Sequence, residues 1–217
     1  MTETVDVQGA FDLDEYVRLL EAARTGGYRF GGFDRDPQPG DLILRHDVDL
    51  SLEAALAMAE LERAYGASAT YFLMTESVFY NLASPVGVEA IERLRDLGHA
   101  VGLHAVWPRA ELDERFDPVI AWHNPDPEYM REPVAGAANV MEERFTGHYR
   151  SDSNQHWRQG SPRAQLAQGG YEWLQLLTHP EIWVFEGETM GETMRSLLVA
   201  EQETRLEYMR HDRIDLT

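Results

Sequence analysis

Asp47 and Asp49, set two residues apart, stand with His46 at the end of the apolar run Leu42-Ile43-Leu44. Ionised carboxylates are costly to desolvate unless they are paired or bind a metal. Two of them with an imidazole, where an apolar strand gives way to a helix, therefore argue for a site able to ligate a cation or move a proton. In extended backbone Asp47 and Asp49 point the same way, because side chains alternate with a period of two. A purely structural account competes with this. In it Asp49 or Ser51 caps the following helix and Asp47 pairs with Arg45.

Further candidates end later apolar runs: His104 after Ala100-Val101-Gly102-Leu103, His123 after Val119-Ile120-Ala121-Trp122, and His179 after Leu176-Leu177-Thr178. Arg150-Ser151-Asp152-Ser153 ends another short run, with His156 and Trp157 just beyond. A lone histidine is more often a satisfied core residue than a ligand. Several at strand ends beside an aspartate pair point to a shared site, since active sites of parallel sheets and barrels gather at the carboxyl ends of strands.

The elements that must position these groups follow an alternating rhythm. Asp12 can cap a helix over 12–25 closed by Gly26-Gly27, and 31–41, with Pro37, Pro39 and Gly40, reads as a loop into the strand at 42–47. Ser51 opens a helix with Leu52, Ala55, Leu56 and Ala59 on one stripe and Gly66 at its end. Strands at 69–74, 100–104, 119–123, 148–151 and 173–179 alternate with helices at 88–97, at 134–145 and after Pro162. A last helix runs over 188–212. Short strands separated by helices imply parallel pairing, because parallel neighbours need crossovers. The expectation is an α/β fold, an irregular, incomplete (β/α) barrel with parallel strands. The strand 42–46 is central to it, being apolar on both faces. The whole of 1–217 reads as one domain, with the first and last helices packed outside.

Composition narrows the partners. The chain has 217 residues, 43% of them hydrophobic, and 38 acidic against 19 basic residues give a formal charge of −19. That field repels phosphate backbones and anionic bilayers, so neither nucleic acid nor a membrane is an expected partner. With 0 cysteines, disulfides and thiolate ligation are excluded, and a metal must take histidine or oxygen ligands. The first ten residues lack a basic segment followed by an apolar one, and no run of about 18 apolar residues follows. A cytoplasmic location is expected.

These motifs resemble the polysaccharide deacetylase family, carbohydrate esterase family four. Asp47 and Asp49 stand where that family has its aspartate pair, and Ala69-Thr70-Tyr71-Phe72 and Gly98-His99-Ala100-Val101-Gly102-Leu103-His104 resemble its next two strand segments. The resemblance implies an incomplete barrel with a divalent metal, Asp47 as base, and Asp49 and His104 as ligands. The family's second metal histidine falls at Pro108, which cannot ligate through its side chain. His123 in His123-Asn124-Pro125 is the substitute, as in a variant branch carrying His-Asp-Val-Asp and His-Asn-Pro. Of an Arg-Pro-Pro-Tyr motif only Arg150 is present, carried over as the residue that steadies the base. Leu176-Leu177-Thr178-His179 resembles the segment whose histidine is the general acid.

A divalent ion on Asp49, His104 and His123, zinc first and cobalt, nickel or manganese as alternatives, would polarise a carbonyl and acidify water. Asp47 would take the proton of that water and His179 would protonate the leaving group. His46, Trp107, Asn124, Asp152, His156 and Trp157 are the expected substrate contacts, with Asp152 also placed to orient His179. Trp107, Trp122, Trp157 and Trp183 serve either as faces for a sugar ring or as core packing. The expected activity is hydrolysis of an amide or ester, foremost deacetylation of an N-acylated sugar or sugar conjugate. Alternatives are carbon–nitrogen hydrolysis of a small non-sugar amide, or a catalytically silent, metal-stapled barrel that binds a glycan or protein.

Overall fold

A computed structural model describes residues 9–106, 112 and 114–211. In chain order the elements are α1 (Leu13–Thr25), β1 (Arg29–Gly31), β2 (Asp41–Val48), α2 (Leu52–Ala64), β3 (Thr70–Leu73), α3 (Pro85–Asp96), β4 (Ala100–Ala105) and β5 (Val119–Trp122). They continue as β6 (Ala138–Asn139), α4 (Glu143–Thr146), β7 (Tyr149–Ser151), α5 (Arg163–Ala167), β8 (Leu174–Thr178), α6 (Pro180–Val184) and α7 (Met190–His211).

All eight residues of β2 are buried, which only a strand covered on both faces achieves. Its side chains divide by alternation. Leu42, Leu44 and Val48 enter the larger apolar cluster beneath the helices, with Tyr16, Leu19, Leu20 and Met58. Ile43 enters the smaller interior cluster with Phe33, Phe72 and Phe145. Fully burying a side chain such as Leu44 stabilises the fold by about 1.5–3 kcal/mol, so β2 is an anchor for both layers.

Every strand pairing in the sheet is parallel, in the order β6-β5-β4-β3-β2-β8-β7, with β1 beside the first half of β2. Among the described residues no ladder joins β6 to β7. The sheet is thus an open half-barrel flanked by helices, as the alternating rhythm of the sequence implied. Gly102 in β4 is needed inside it, because a Cβ there would lie 2.5 Å from Cε1 of Phe72.

The helix starts follow capping chemistry. Asp12 accepts from the Glu15 N–H at 2.7 Å, Ser51 from Ala54 at 3.1 Å, and Ser84, before Pro85, from Gly87 at 3.1 Å; such caps are worth about 1 kcal/mol each. Ser51 is therefore the cap of α2, and Asp49 is left for other work.

One helix expected from the sequence is corrected. Over 134–145 only the four-residue α4 forms, preceded by the two-residue β6. Gly136 takes a positive φ of 80°, and the Asn139 amide donates to the carbonyls of Met130 and Glu132 while its oxygen accepts from the Met141 N–H. These local bonds draw the backbone away from a helical ladder. Among the described residues no helix is long and apolar enough to cross a membrane.

Candidate metal centre and its flanking acid and base

The loop leaving β2 carries Asp49 onto the side of Asp47, as extended backbone requires. His104 is the next-to-last residue of β4 and His123 directly follows β5, the two placed by register pairs His104↔Ala121 and Ala105↔Trp122. Asp49 Oδ1 lies 3.0 Å from His104 Nε2 and 3.3 Å from His123 Nδ1. The two ring nitrogens are 3.2 Å apart. Ligand bonds of about 2.0–2.1 Å in a tetrahedral zinc site separate donor atoms by roughly 3.3 Å, so the triangle matches one face of such a shell.

Two further observations bear on whether a cation fits. Asp49 Oδ1 is buried without a hydrogen-bond partner among the described residues. Buried carboxylate oxygens are rarely left so, and each instance calls for an ion or another partner. In addition, His104 Nδ1 faces the Ala121 carbonyl at 3.1 Å. That carbonyl can only accept, which fixes the proton on Nδ1 and leaves the Nε2 lone pair facing the other two donors. Burial opposes ionisation of Asp49, but the two adjacent imidazoles hold its carboxyl well below the usual range.

Asp47 lies beside this trio, with Oδ2 at 3.7 Å from His104 Nε2. Its partner is Arg45, whose Nε and Nη2 donate to Oδ1 and Oδ2 at 2.8 and 2.6 Å. Both side chains are almost wholly buried, and Arg45 also lies over the Phe72 ring at 5.7 Å. Burial works against the Asp47 anion, and Arg45 outweighs it, keeping the carboxyl below its ordinary pKa. This corrects the role expected of Arg150. Arg150 pairs in register with Leu176 of the helix-side layer, and its guanidinium lies over the Tyr171 ring at 5.2 Å. Arg150 lines the same cavity as Asp47, but the guanidinium bonded to Asp47 is that of Arg45, two positions earlier on the same face of the same strand.

His179 follows β8 and reaches the cavity from the opposite side. Its Nδ1 donates to Asp152 Oδ1 at 2.6 Å, while Asp152 Oδ2 accepts from the His179 N–H at 2.9 Å and from Trp183 Nε1 at 2.7 Å. Asp152 is fully buried. Burial favours neutral His179, but the Asp152 charge and hydrogen bond prevail and raise its pKa to about 10. The ring is therefore a charged proton donor near neutrality, its Nε2 making no hydrogen bond among the described residues. The next acid, Glu181, is pushed by burial up to about 8.

Asp47, Asp49, His104, His123 and His179 line one cavity of about 500 Å³, with Tyr149, Trp122 and Arg158 in its wall. Asn124, at a positive φ of 46°, also lines it and meets His123 Nε2 through its side-chain amide at 3.1 Å.

Of the other expected substrate contacts, His46, Asp152 and His156 are corrected. His46 is fully buried on the opposite face of β2, where Nδ1 meets Thr178 Oγ1 at 2.7 Å and Nε2 meets Glu62 Oε1 at 2.8 Å. Glu62 in turn accepts from Tyr16 at 2.5 Å and Tyr71 at 2.7 Å, so His46 belongs to a polar knot under the helices. Asp152 spends both oxygens on His179 and Trp183. His156 is exposed and lines neither this cavity nor its neighbour. Trp157 forms part of the cavity wall but is 1% exposed, stacked on Phe11 at 5.8 Å. Trp107 and Pro108 lie outside the described residues.

Sequence reasoning passed over Glu62 and Gln175. Glu62 sits four residues after Met58 and seven after Ala55 on the buried stripe of α2, a position that signals a buried acid. Gln175 alternates with the apolar residues of β8 and holds the Val140 and Phe145 carbonyls at 3.1 and 2.7 Å.

No family model matches the chain, and no curated protein matches it in sequence. Among solved structures it is similar to a peptidoglycan deacetylase of Bdellovibrio bacteriovorus, with 12% identity and a TM-score of 0.32 over 89% of this chain. The chain spans 58% of that protein's length. Agreement of that size carries no argument about substrate or activity.

Proposed function

We propose that the protein is a metal-dependent hydrolase of an amide or ester bond, acting on an N-acylated sugar or sugar conjugate. One observation carries this reading: a buried Asp-His-His triangle shares a cavity with an arginine-held aspartate on one side and an aspartate-held histidine on the other. Asp49, His104 and His123 would hold the ion. When bound, a divalent ion supplies a Lewis acid that polarises a carbonyl and acidifies water. Zinc suits two imidazoles and one carboxylate best.

The chain's own residues supply the proton transfers. Asp47, kept ionised by Arg45, takes a proton from the attacking water; Arg45 holds the carboxylate in one orientation and limits its basicity. His179, charged and held by Asp152, gives its Nε2 proton to the departing nitrogen or oxygen. The cavity volume and the Trp122 and Tyr149 rings in its wall support a sugar-sized leaving group.

The test pairs metal analysis with hydrolysis of N-acetylated amino sugars. The purified chain should retain about one zinc ion, and Asp47→Asn should keep fold and zinc while losing turnover about a hundredfold or more. An Asp47→Asn protein as active as the parent removes Asp47 from the chemistry. A parent that binds no divalent ion sinks the whole reading.

A further inference from the structure

A second cavity of about 420 Å³ meets the first beside Asp49 and His123, the two also sharing Asn124, Ser153 and His179. Its character differs. Leu50, Met74, Phe79, Ile182 and Met190 form much of its wall, whereas Asp47, Tyr149 and Arg158 belong to the first cavity alone. Glu181 also lines it. This carboxyl is 1% exposed, and its Oε2 is buried without a hydrogen-bond partner among the described residues. No part of the proposed proton transfers uses it, and a buried carboxyl left unpaired is destabilising.

Two cavities joined at the reacting centre correspond to the two substituents of an amide, one on the carbonyl carbon and one on the nitrogen. The polar, aromatic cavity suits the sugar and the apolar one the acyl chain. Liquid water occupies roughly 30 Å³ per molecule, so a space of about 420 Å³ exceeds several-fold what an acetyl group fills. Resting on the hydrolase reading, we infer that the second cavity is an acyl subsite for a chain of butyryl size or longer bearing a hydroxyl, which hydrogen-bonds to Glu181. A hydroxyl satisfies a carboxyl in either protonation state, donating to the anion or exchanging bonds with the acid. A plain alkyl chain leaves the carboxyl unpaired, and an acetyl group carries no hydroxyl to offer it.

The test uses N-acetyl-, N-butyryl- and N-(3-hydroxybutyryl)glucosamine with the purified, zinc-supplemented chain, reading both calorimetric affinity and hydrolysis. The hydroxybutyryl compound should bind about tenfold or more tightly than the acetyl one. Glu181→Leu should erase the preference for hydroxybutyryl over butyryl while leaving butyryl affinity within about twofold. Leu50→Trp, which fills the cavity without touching the acid, should weaken both longer compounds and spare acetyl. Equal affinity for all three compounds, or a hydroxyl preference that survives Glu181→Leu, overturns the inference, as does failure to bind any of them. Selective binding of the hydroxybutyryl compound without hydrolysis upholds the subsite and defeats the hydrolase reading. Hydrolysis of the acetyl compound alone does the reverse.

Discussion

Asp152→Asn isolates the device that keeps His179 charged. The carboxylate accepts three hydrogen bonds, from His179 Nδ1, the His179 N–H and Trp183 Nε1. An asparagine has one side-chain oxygen, so its amide group must face at least one of these donors. The fall of His179 from about 10 to its ordinary 6.5 or below corresponds to up to about 5 kcal/mol of lost coupling. Removing one member of a buried ion pair costs about 3–5 kcal/mol, a consistent range. The sign follows from the raised pKa. The pair's contribution is fully present below about pH 6.5 and is lost as pH rises through about 10. The variant's deficit in urea denaturation should thus be largest near pH 6 and shrink toward pH 10. Ring titration by NMR should find His179 neutral at pH 7.5 in the variant and charged in the parent. Hydrolysis of amides should fall far more than that of activated phenyl esters, whose leaving groups need no acid. A His179 ring in Asp152→Asn that still titrates near the parent value would refute the assignment, as would a stability loss under about 1 kcal/mol at pH 6.

Arg45→Met strands a buried anion. It should cost about 3–5 kcal/mol in chemical denaturation and move the acid limb of the pH–rate profile upward, whereas adding Asp47→Leu should recover most of the stability and none of the activity. At the start of β2, Asp41 accepts from Arg35 at 2.6 Å, the Gln38 N–H at 2.8 Å and Arg29 at 3.1 Å. Burial opposes its ionisation, but these bonds prevail and hold it at about 2. Its contribution should be present above about pH 4 and vanish as pH falls through about 2, so Asp41→Asn should cost about 1–2 kcal/mol at pH 7 and little at pH 2. A penalty independent of pH would show that shape, not charge, matters there.

The long apolar runs made β2, β4 and β8 legible in the sequence, and strand-end placement brought Asp49, His104, His123 and His179 into one list of candidates. The misassignments have specific physical causes. His46 adjoins Asp47 in the sequence, but alternation turns it to the other face, toward Glu62. The motif match points to Arg150, whereas the two-residue spacing of Arg45 and Asp47 on one strand is what forms the ion pair. β1 and β6, of 3 and 2 residues, are too short to carry a periodic signal. The stretch before α4 has apolar residues at helical spacing, but the hydrogen bonds of Asn139 and the reversal at Gly136 decide its path. Glu181 is silent in the sequence, since only burial distinguishes it from any acid in the first turn of a helix.

The pairing of β2 with β8 joins Leu42 to Leu174 and His46 to Thr178, the greatest sequence separation among the strand partners. The metal triangle, by contrast, is complete by residue 123. As the chain leaves the ribosome, the ligands and Asp47 are all made before any of β8 exists. Long-range strand pairing is also the slow part of folding. The stretch from β2 to His123 therefore carries the candidate ligands and Asp47, and His179 joins them only with the last strand. On the proposed reading, a chain without β8 would hold the candidate ligands and Asp47 but no proton donor, so the final strand pairing would be the step that completes the site.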